Sequence, residues 1–245
     1  MTDLGLPEHI EACLFDLDGV VTKTAVVHAA AWKEMFDAFL RERDGPAFTP
    51  FTGADYDAYV DGRPRADGVR TFLDSRGIRL PEGGADDPPD AVTVHGLGNR
   101  KNELLLEKIR TDGVEPYDST LRYLRAVRAS GLRTAVVSSS ANCRDVLRSI
   151  EAEDLFDVRI DGVVAARRGL PGKPAPDTFL AAARDLGVEP AHAAVFEDAL
   201  AGMDAGRAGR FGLVVGVDRV GQTDALYAHG ADRVVTDLAE LGGER

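Results

Sequence analysis

The order of apolar and polar positions along the chain predicts an α/β protein. Ala12-Cys13-Leu14 is a short apolar run typical of a buried strand, and residues Ala25 to Arg43 carry apolar side chains at helical spacing. Beyond Asp112-Gly113, apolar runs alternate with amphipathic segments, which is typical of a parallel sheet covered by helices. The strands predicted there are Arg133 to Val137, Val158 to Ile160, Ala193 to Phe196, Gly212 to Val217 and Arg233 to Val235. The predicted helices are Ser119 to Ser130, Asn142 to Ile150, Asp177 to Leu186 and Thr223 to Ala228.

The segment between the first strand and Asp112 has a different pattern. It predicts short helices at Gly68 to Arg76 and Asn102 to Arg110, with an acidic, Pro/Gly-rich loop from Pro81 to Asp90. In the helix that starts near Ala25, His28 and Trp32 lie four residues apart and therefore share a face. A packed helix interface is one interpretation of that pair, and a ligand-binding face is the other.

Polar side chains follow three of the predicted strands at their carboxyl ends. Asp16 and Asp18 follow the first strand, Ser138 follows the strand ending at Val137, and Glu197-Asp198 follow Phe196. Open parallel sheets bind ligands beyond the carboxyl ends of their strands, so these side chains are expected to converge. Neighbouring carboxylates repel one another unless a cation or a shared proton compensates them. A divalent metal and a phosphoryl group would explain the set, whereas ordinary strand ends and helix caps are the alternative.

Composition and charge narrow the function classes. With 44% hydrophobic and 29% charged residues, the 245-residue chain is expected to be globular. Lys+Arg 29 against Asp+Glu 41 gives a net charge of −12, which argues against a general nucleic-acid or anionic-membrane surface. The two cysteines, Cys13 and Cys143, argue against a structural disulfide or a zinc site. No signal-peptide pattern or membrane-length apolar run is present, so we expect a cytoplasmic enzyme.

Four short motifs together resemble the haloacid dehalogenase-like superfamily, in the order that is usual there. They are Asp16-Leu17-Asp18-Gly19-Val20, Ser138, Gly172-Lys173-Pro174 and Phe196-Glu197-Asp198. The resemblance implies a Rossmann-like parallel-sheet core flanked by helices, formed by residues 1–23 and 112–245. It also implies an inserted α-helical cap domain at residues 24–111, and we expect a monomer.

Within the superfamily, the chain is most similar to the β-phosphoglucomutase branch. The matching pieces are Thr24-Ala25, His28, Trp32-Lys33, Gly62, Arg65, Arg100-Lys101-Asn102, Ser138-Ser139-Ser140-Ala141-Asn142 and Gly172-Lys173-Pro174-Ala175-Pro176-Asp177. The resemblance implies an isomerase that interconverts β-D-glucose 1-phosphate and D-glucose 6-phosphate. The reaction would pass through an aspartyl phosphate and a glucose 1,6-bisphosphate intermediate.

The resemblance also implies the catalytic roles. Asp16 would be the nucleophile and Asp18 the general acid/base, while Ser138 and Lys173 would stabilise phosphoryl charge in the transition state. Mg²⁺, which prefers oxygen ligands, would be held by Asp16, the backbone carbonyl of Asp18 and Asp198, with Glu197 at or near the metal. An exposed loop lysine is the alternative for Lys173, and a helix cap is the alternative for Ser138.

The resemblance also implies residues that bind substrate, and these residues decide between a mutase and a phosphatase. Arg65 resembles a grip for the distal phosphate, together with Ser140 and Asn142, and Lys101 resembles a cap lysine that contacts the sugar phosphate. A plain surface role is the alternative for both cations. The implied substrate-binding residues are Thr24, His28, Trp32, Gly62, Arg65, Lys101, Ser139, Ser140 and Asn142.

Two positions depart from the pattern of the branch. Lys23 stands where an aspartate is frequent, and Ala141 stands where the mutases have a lysine beside the distal phosphate. Fewer cations at the distal site leave open a Mg²⁺-dependent sugar-phosphate phosphatase, in which water accepts the phosphoryl group. A non-catalytic phosphosugar-binding regulator is a third hypothesis. The intact set of Asp16, Asp18, Ser138, Lys173 and Asp198 argues against it.

Overall fold

The computed structural model describes residues 3–242 of the chain. The chain forms two compact units. Residues up to Lys23 and residues from Val114 onward form the first, here the core unit, and Thr24–Gly113 form the second, here the cap unit. Within the described residues, no helix is long and apolar enough to cross a membrane.

The cap unit is helical and has an aromatic interior of its own. Its helices are α1 (Thr24–Asp44), the short α2 (Gly53–Asp55) that leads into a π-helical stretch (Tyr56–Val60), α3 (Arg65–Ser75) and α4 (Val94–Asp112). The rings of Trp32, Phe36, Phe51 and Phe72 pack against one another in a chain of contacts. Because such rings bury large apolar areas, this cluster gives the unit an independent core.

Helix α4 corrects the expectation of a short helix at residues 102–110. It begins at Val94, where the side chain of Thr93 accepts a hydrogen bond from the Gly96 amide. Glycines in the first half weaken the helical pattern in the sequence. Packing requires one of them, because a Cβ at Gly96 would lie 2.2 Å from the carbonyl oxygen of Ala91.

The core unit contains a six-stranded parallel sheet, as the sequence predicts. Its strands are β1 (Ala12–Phe15), β2 (Arg133–Val137), β3 (Val158–Ile160), β4 (Ala193–Glu197), β5 (Leu213–Val217) and β6 (Arg233–Val235). Their order across the sheet is β3-β2-β1-β4-β5-β6, so the strand that carries the first motif lies in the middle. Phe15 pairs with Val136 on one side and with Phe196 on the other, which brings three strand ends level.

Helices cover the sheet, and most lie where the sequence predicts them. They are α5 (Asp118–Ala129), α6 (Cys143–Ser149), α7 (Gly162–Arg168), α8 (Asp177–Leu186), α9 (Leu200–Ala208) and α10 (Thr223–Ala228). Helices α7 and α9 are not among the helices predicted above, and α7 is short and carries an exposed Val163 beside a buried Val164. Asp161 caps it by accepting from the Val164 amide, and Gly169 ends it in the left-handed conformation.

Candidate active site

The segment after β1 forms a tight turn that presents two carboxylates. The Asp16 amide still donates to the Phe196 carbonyl at 2.9 Å, so Asp16 continues the sheet register. The chain then closes on itself, with the Gly19 amide donating to the Thr22 carbonyl at 2.7 Å. Gly19 has φ +91°, and a Cβ there would lie 1.7 Å from Oδ2 of Asp198. Only glycine therefore lets this turn approach the end of β4.

Lys173 lies buried between two carboxylates. Its side chain is 1% exposed, and Nζ lies 2.5 Å from Oδ1 of Asp16 and 2.7 Å from Oε1 of Glu197. Nζ also donates to the Val137 carbonyl at 3.1 Å. The lysine thus reaches three strand ends, and its alternative interpretation as an exposed loop residue is wrong.

Around Lys173, acidic side chains outnumber basic ones. Burial on its own would lower the pKa of Lys173, but Asp16 and Glu197 raise it above its ordinary value, so the ammonium stays protonated. Burial, together with the negative charges of Glu197 and Asp18, raises the pKa of Asp16 well above its usual range despite Lys173. One ammonium shared by several acids leaves negative charge that a further cation would compensate.

Glu197 is fully engaged by the protein. Its Oε1 accepts from Lys173, and its Oε2 accepts from the backbone amides of Asp198 at 2.8 Å and Ala199 at 3.2 Å. Gly202 on α9 leaves room for this side chain, because a Cβ there would lie 1.7 Å from Oε1 of Glu197. These contacts favour a role for Glu197 in placing Lys173, which the sequence did not indicate. The only feature of the sequence that points to this role is Gly202, a glycine inside the segment that forms α9.

The acidic residues fit a divalent cation. Asp16, Glu197 and Asp198 are buried, and each offers an oxygen within 4.8 Å of the others. Carboxylate oxygens grouped in this way are the donors that hard divalent cations prefer. The Asp18 carboxylate lies instead toward Ser138, whose hydroxyl donates to Oδ2 of Asp18 at 3.5 Å. The two aspartates of the first motif therefore face different partners.

The residues after β2 form a nested hydroxyl turn. The Ser138 hydroxyl accepts from the Ser140 amide at 3.0 Å, and the Ser140 hydroxyl accepts from the Asn142 amide at 3.1 Å. Asn142 precedes α6 without a side-chain capping hydrogen bond to it. Ser138 therefore does not cap α6, and its buried hydroxyl lies beside Asp18. Ser139, Ser140 and Asn142 are half-buried, and Ala141 is exposed.

In the cap unit, Lys101 is a second buried cation. It is 4% exposed, its Nζ lies 3.0 Å from Nδ1 of His28, and it lies over the Trp32 ring at 5.0 Å from the centroid. The expectation that His28 and Trp32 share a face of α1 is confirmed. The ammonium of Lys101 lies against that face. A buried lysine against an imidazole and an indole is more polar than an ordinary helix interface.

Arg65 is a third cation, at the start of α3. A Cβ at Gly98 of α4 would lie 3.2 Å from Cγ of Arg65, so the arginine stem packs over that glycine. Burial lowers the pKa of its guanidinium, and no carboxylate among the described residues pairs with it. Of the other predicted cap residues, Thr24 is buried at the start of α1, and Gly62 lies in the turn before α3 with φ +69°.

Lys23, one of the two departures, has a partner in the core unit. Its Nζ lies 2.8 Å from Oε2 of Glu115, and both side chains are largely exposed. The backbone amide of Lys23 also donates to the Glu115 carbonyl at 2.8 Å. The two segments that lead to and from the cap unit are therefore joined by main-chain and side-chain contacts.

Comparisons with known proteins show which family this chain belongs to. The family model for haloacid dehalogenase-like hydrolases matches residues 10–210. A beta-phosphoglucomutase of Mycobacterium bovis is 58% identical over 97% of this chain and 94% of its own length. A beta-phosphoglucomutase of Bacillus subtilis is 32% identical over 95% of this chain and 92% of its own length.

The fold has a solved counterpart at similar length. The crystal structure of beta-phosphoglucomutase from Clostridium difficile superposes with a TM-score of 0.74 at 26% identity, covering 96% of this chain and 94% of that one. The family match and this superposition together show the family and the fold. The chain belongs to the haloacid dehalogenase-like hydrolases, in the branch that contains the beta-phosphoglucomutases.

Proposed function

We propose that this protein is a β-phosphoglucomutase that interconverts β-D-glucose 1-phosphate and D-glucose 6-phosphate. The observation that carries the chemistry is a buried carboxylate, Asp16, held by Lys173, with a second carboxylate two residues away on the same turn. The 58% identity to a beta-phosphoglucomutase over nearly the whole chain supports the choice of a sugar phosphate as substrate.

Asp16 is the nucleophile in this proposal. An oxygen of its carboxylate attacks phosphorus, the bond from phosphorus to the sugar oxygen breaks, and an aspartyl phosphate forms. Asp18 gives its proton to the departing sugar oxygen, and in the next half-reaction it takes a proton from the sugar hydroxyl that attacks the aspartyl phosphate. The hydrogen bond from Ser138 helps to hold the Asp18 carboxylate for this transfer.

Mg²⁺ is the proposed metal, and Asp16, Asp198 and the backbone carbonyl of Asp18 would hold it. When bound, it supplies positive charge between an anionic nucleophile and an anionic phosphate. Glu197 contributes through Lys173, because its oxygens already accept from that lysine and from two backbone amides. Lys173 then stabilises charge on the transferring phosphoryl group.

A mutase must also bind a bisphosphate in two orientations, and this requires a grip for the second phosphate. We assign that grip to Arg65, with Ser140 and Asn142. The guanidinium of Arg65 is half-buried and has no carboxylate partner among the described residues, as expected of a group reserved for an external anion. Thr24, His28, Trp32, Gly62, Lys101 and Ser139 complete the proposed substrate contacts.

The test supplies the protein with β-glucose 1-phosphate, Mg²⁺ and a trace of glucose 1,6-bisphosphate. Glucose 6-phosphate and free phosphate are followed in the same reaction. The proposal requires glucose 6-phosphate to form faster than free phosphate. Faster release of free phosphate would instead support the phosphatase that the missing cation at Ala141 leaves open.

A further inference from the structure

The loop after β5, residues 218–223, is held in one shape by a single aspartate. Oδ1 of Asp218 accepts from the backbone amides of Val220, Gly221 and Gln222 at 3.2, 2.7 and 2.9 Å. The Thr223 hydroxyl donates to Oδ2. Burial alone would raise the pKa of Asp218, but these hydrogen bonds lower it, as expected when donors converge on a carboxylate. The loop is therefore a fixed base for the side chains that leave it.

Two of those side chains reach the catalytic segments. Nε of Arg219 donates to the carbonyl oxygen of Gly19 at 2.8 Å, and Nε2 of Gln222 donates to the carbonyl oxygen of Asp198 at 3.0 Å. Gly19 and Asp198 are themselves in close contact, since no Cβ fits between them. The loop thus holds, through main-chain carbonyls, both segments that carry the proposed acid/base and the proposed metal ligand.

Arg219 is fixed by further contacts besides the one to Gly19. Nη1 donates to the Thr236 carbonyl at 2.7 Å, and the guanidinium carbon lies 3.7 Å from the centroid of the Tyr117 ring. The remaining nitrogen, Nη2, is buried without a hydrogen-bond partner among the described residues. Because the guanidinium is planar and rigid, bonds at Nε and Nη1 and stacking on a ring fix its orientation. The Tyr117 amide in turn donates to the Val21 carbonyl at 2.9 Å, two residues beyond Gly19.

We propose that Arg219 is a positioning residue for the proposed acid/base, Asp18. The amide of Gly19 is bound by Thr22 and its carbonyl by Arg219, so both peptide groups that flank this residue are restrained. Gly19 has no Cβ to limit its backbone, and without the bond from Arg219 the Gly19–Val20 peptide, directly after the residue that follows Asp18, could rotate. Arg219 therefore sets the direction of the Asp18 side chain without touching substrate. The inference rests on the proposed function for the role of Asp18.

The test uses two phosphoryl donors that differ in their need for an acid. Acetyl phosphate releases acetate, a weak base that leaves without a proton, whereas a sugar phosphate must have its leaving oxygen protonated. Arg219→Ala should slow turnover of β-glucose 1-phosphate by about tenfold or more, because misplaced catalytic groups cost at least that much. The KM for the sugar phosphate and the rate at which acetyl phosphate phosphorylates the protein should each stay within about twofold of the unmutated values.

Arg233→Ala is the matched control. Arg233 also donates to two backbone carbonyls, those of Gly5 at 3.5 Å and Glu240 at 3.3 Å, but it does not touch the catalytic turn. This variant should keep both rates. Equal losses on the two donors in Arg219→Ala, or no loss on either, would overturn the inference. If Arg219→Ala does not fold, Arg219→Lys is scored by the same comparison, since a lysine cannot reproduce both donors and the stacking.

Hydrogen exchange tests the role of Arg219 independently of the proposed mutase activity. If the unmutated protein does not convert β-glucose 1-phosphate, the proposed function fails, and exchange of the backbone amides in residues 17–22 decides the inference. Their exchange should be at least about fivefold faster in Arg219→Ala than in Arg233→Ala, because the turn loses its restraint. Equal exchange in the two variants would show that Arg219 does not position the turn.

Discussion

At the scale of single residues, Asp16 and Asp18 lie on the same turn but contact different partners. Asp16 lies against Lys173 in a buried ion pair, and Asp18 lies toward the hydroxyl of Ser138. A nucleophile benefits from a fixed neighbouring cation, whereas an acid/base must be able to exchange its proton. The different partners thus match the different roles proposed for these residues.

Replacement of Asp18 by asparagine tests this separation. Asp18→Asn should lower the turnover of β-glucose 1-phosphate by about 10²–10⁴-fold, the usual contribution of a general acid or base. Substrate affinity and phosphorylation by acetyl phosphate should persist, because neither requires the proton. Steady-state kinetics and intact-protein mass measure the two effects. A nearly unchanged turnover would reduce Asp18 to a structural strand-end residue.

At the scale of elements, helix α9 is adapted to the residue that precedes it. Gly202 lies where any side chain would collide with Glu197, and Glu197 accepts from Lys173 and from the amides of Asp198 and Ala199. The helix can approach the end of β4 closely only with glycine at this position. The geometry of Lys173 therefore depends, through Glu197, on a glycine in another element.

Gly202→Ala should inactivate the protein. The added methyl forces Glu197 away from Lys173, and a buried charged group that loses its partner is strongly disfavoured. Turnover should fall, and the midpoint of thermal unfolding should drop even though alanine favours helices by about 1 kcal/mol over glycine. Gly206→Ala is the control on the same helix, because its methyl would meet side-chain methyls of Val214 at 3.2 Å and Val195 at 3.6 Å and would not meet Glu197. Equal behaviour of the two variants would contradict this account of α9.

The same scale shows what the sequence can predict. The strands were predictable because buried parallel strands are continuous apolar runs, and the proposed catalytic aspartates follow the first of them directly. Helix α4 was underestimated because Gly96 and Gly98 interrupt its pattern, although a Cβ at Gly96 would collide with the backbone of Ala91. The role of Arg219 had no signal, since it depends on a loop shape and on carbonyls distant in sequence. The apolar and polar pattern of a sequence indicates which residues are buried. Contacts between loops distant in sequence become visible only in the folded structure.

At the scale of the whole molecule, a strongly acidic chain concentrates a few cations at defined places. The net charge is −12, yet Lys173 and Lys101 are almost wholly buried, one in each unit. Burial of a lysine is costly unless partners compensate it, so both positions indicate a role beyond solubility. In the core unit, the carboxylates of Asp16, Glu197 and Asp198 outnumber the single ammonium of Lys173. We propose that Mg²⁺ supplies the missing positive charge.

Metal binding should therefore be visible without catalysis. Because a ligand that binds only the folded state stabilises it, Mg²⁺ should raise the midpoint of thermal unfolding with increasing concentration. A chelator should remove that gain and abolish turnover. Asp198→Asn should show a much smaller shift, and Asp204→Asn, which alters a half-buried carboxylate beside His229, is the control. A midpoint that does not respond to Mg²⁺ would contradict the proposed site.

The central claim is that Asp16 carries a phosphoryl group and passes it to a sugar. Protein phosphorylated with labelled acetyl phosphate is freed of excess donor and mixed with β-glucose 1-phosphate in a single turnover. The account predicts that most of the label appears in glucose 1,6-bisphosphate and glucose 6-phosphate, and that Asp16→Asn takes up no label. Label recovered entirely as free phosphate, at the rate seen without sugar, would contradict it.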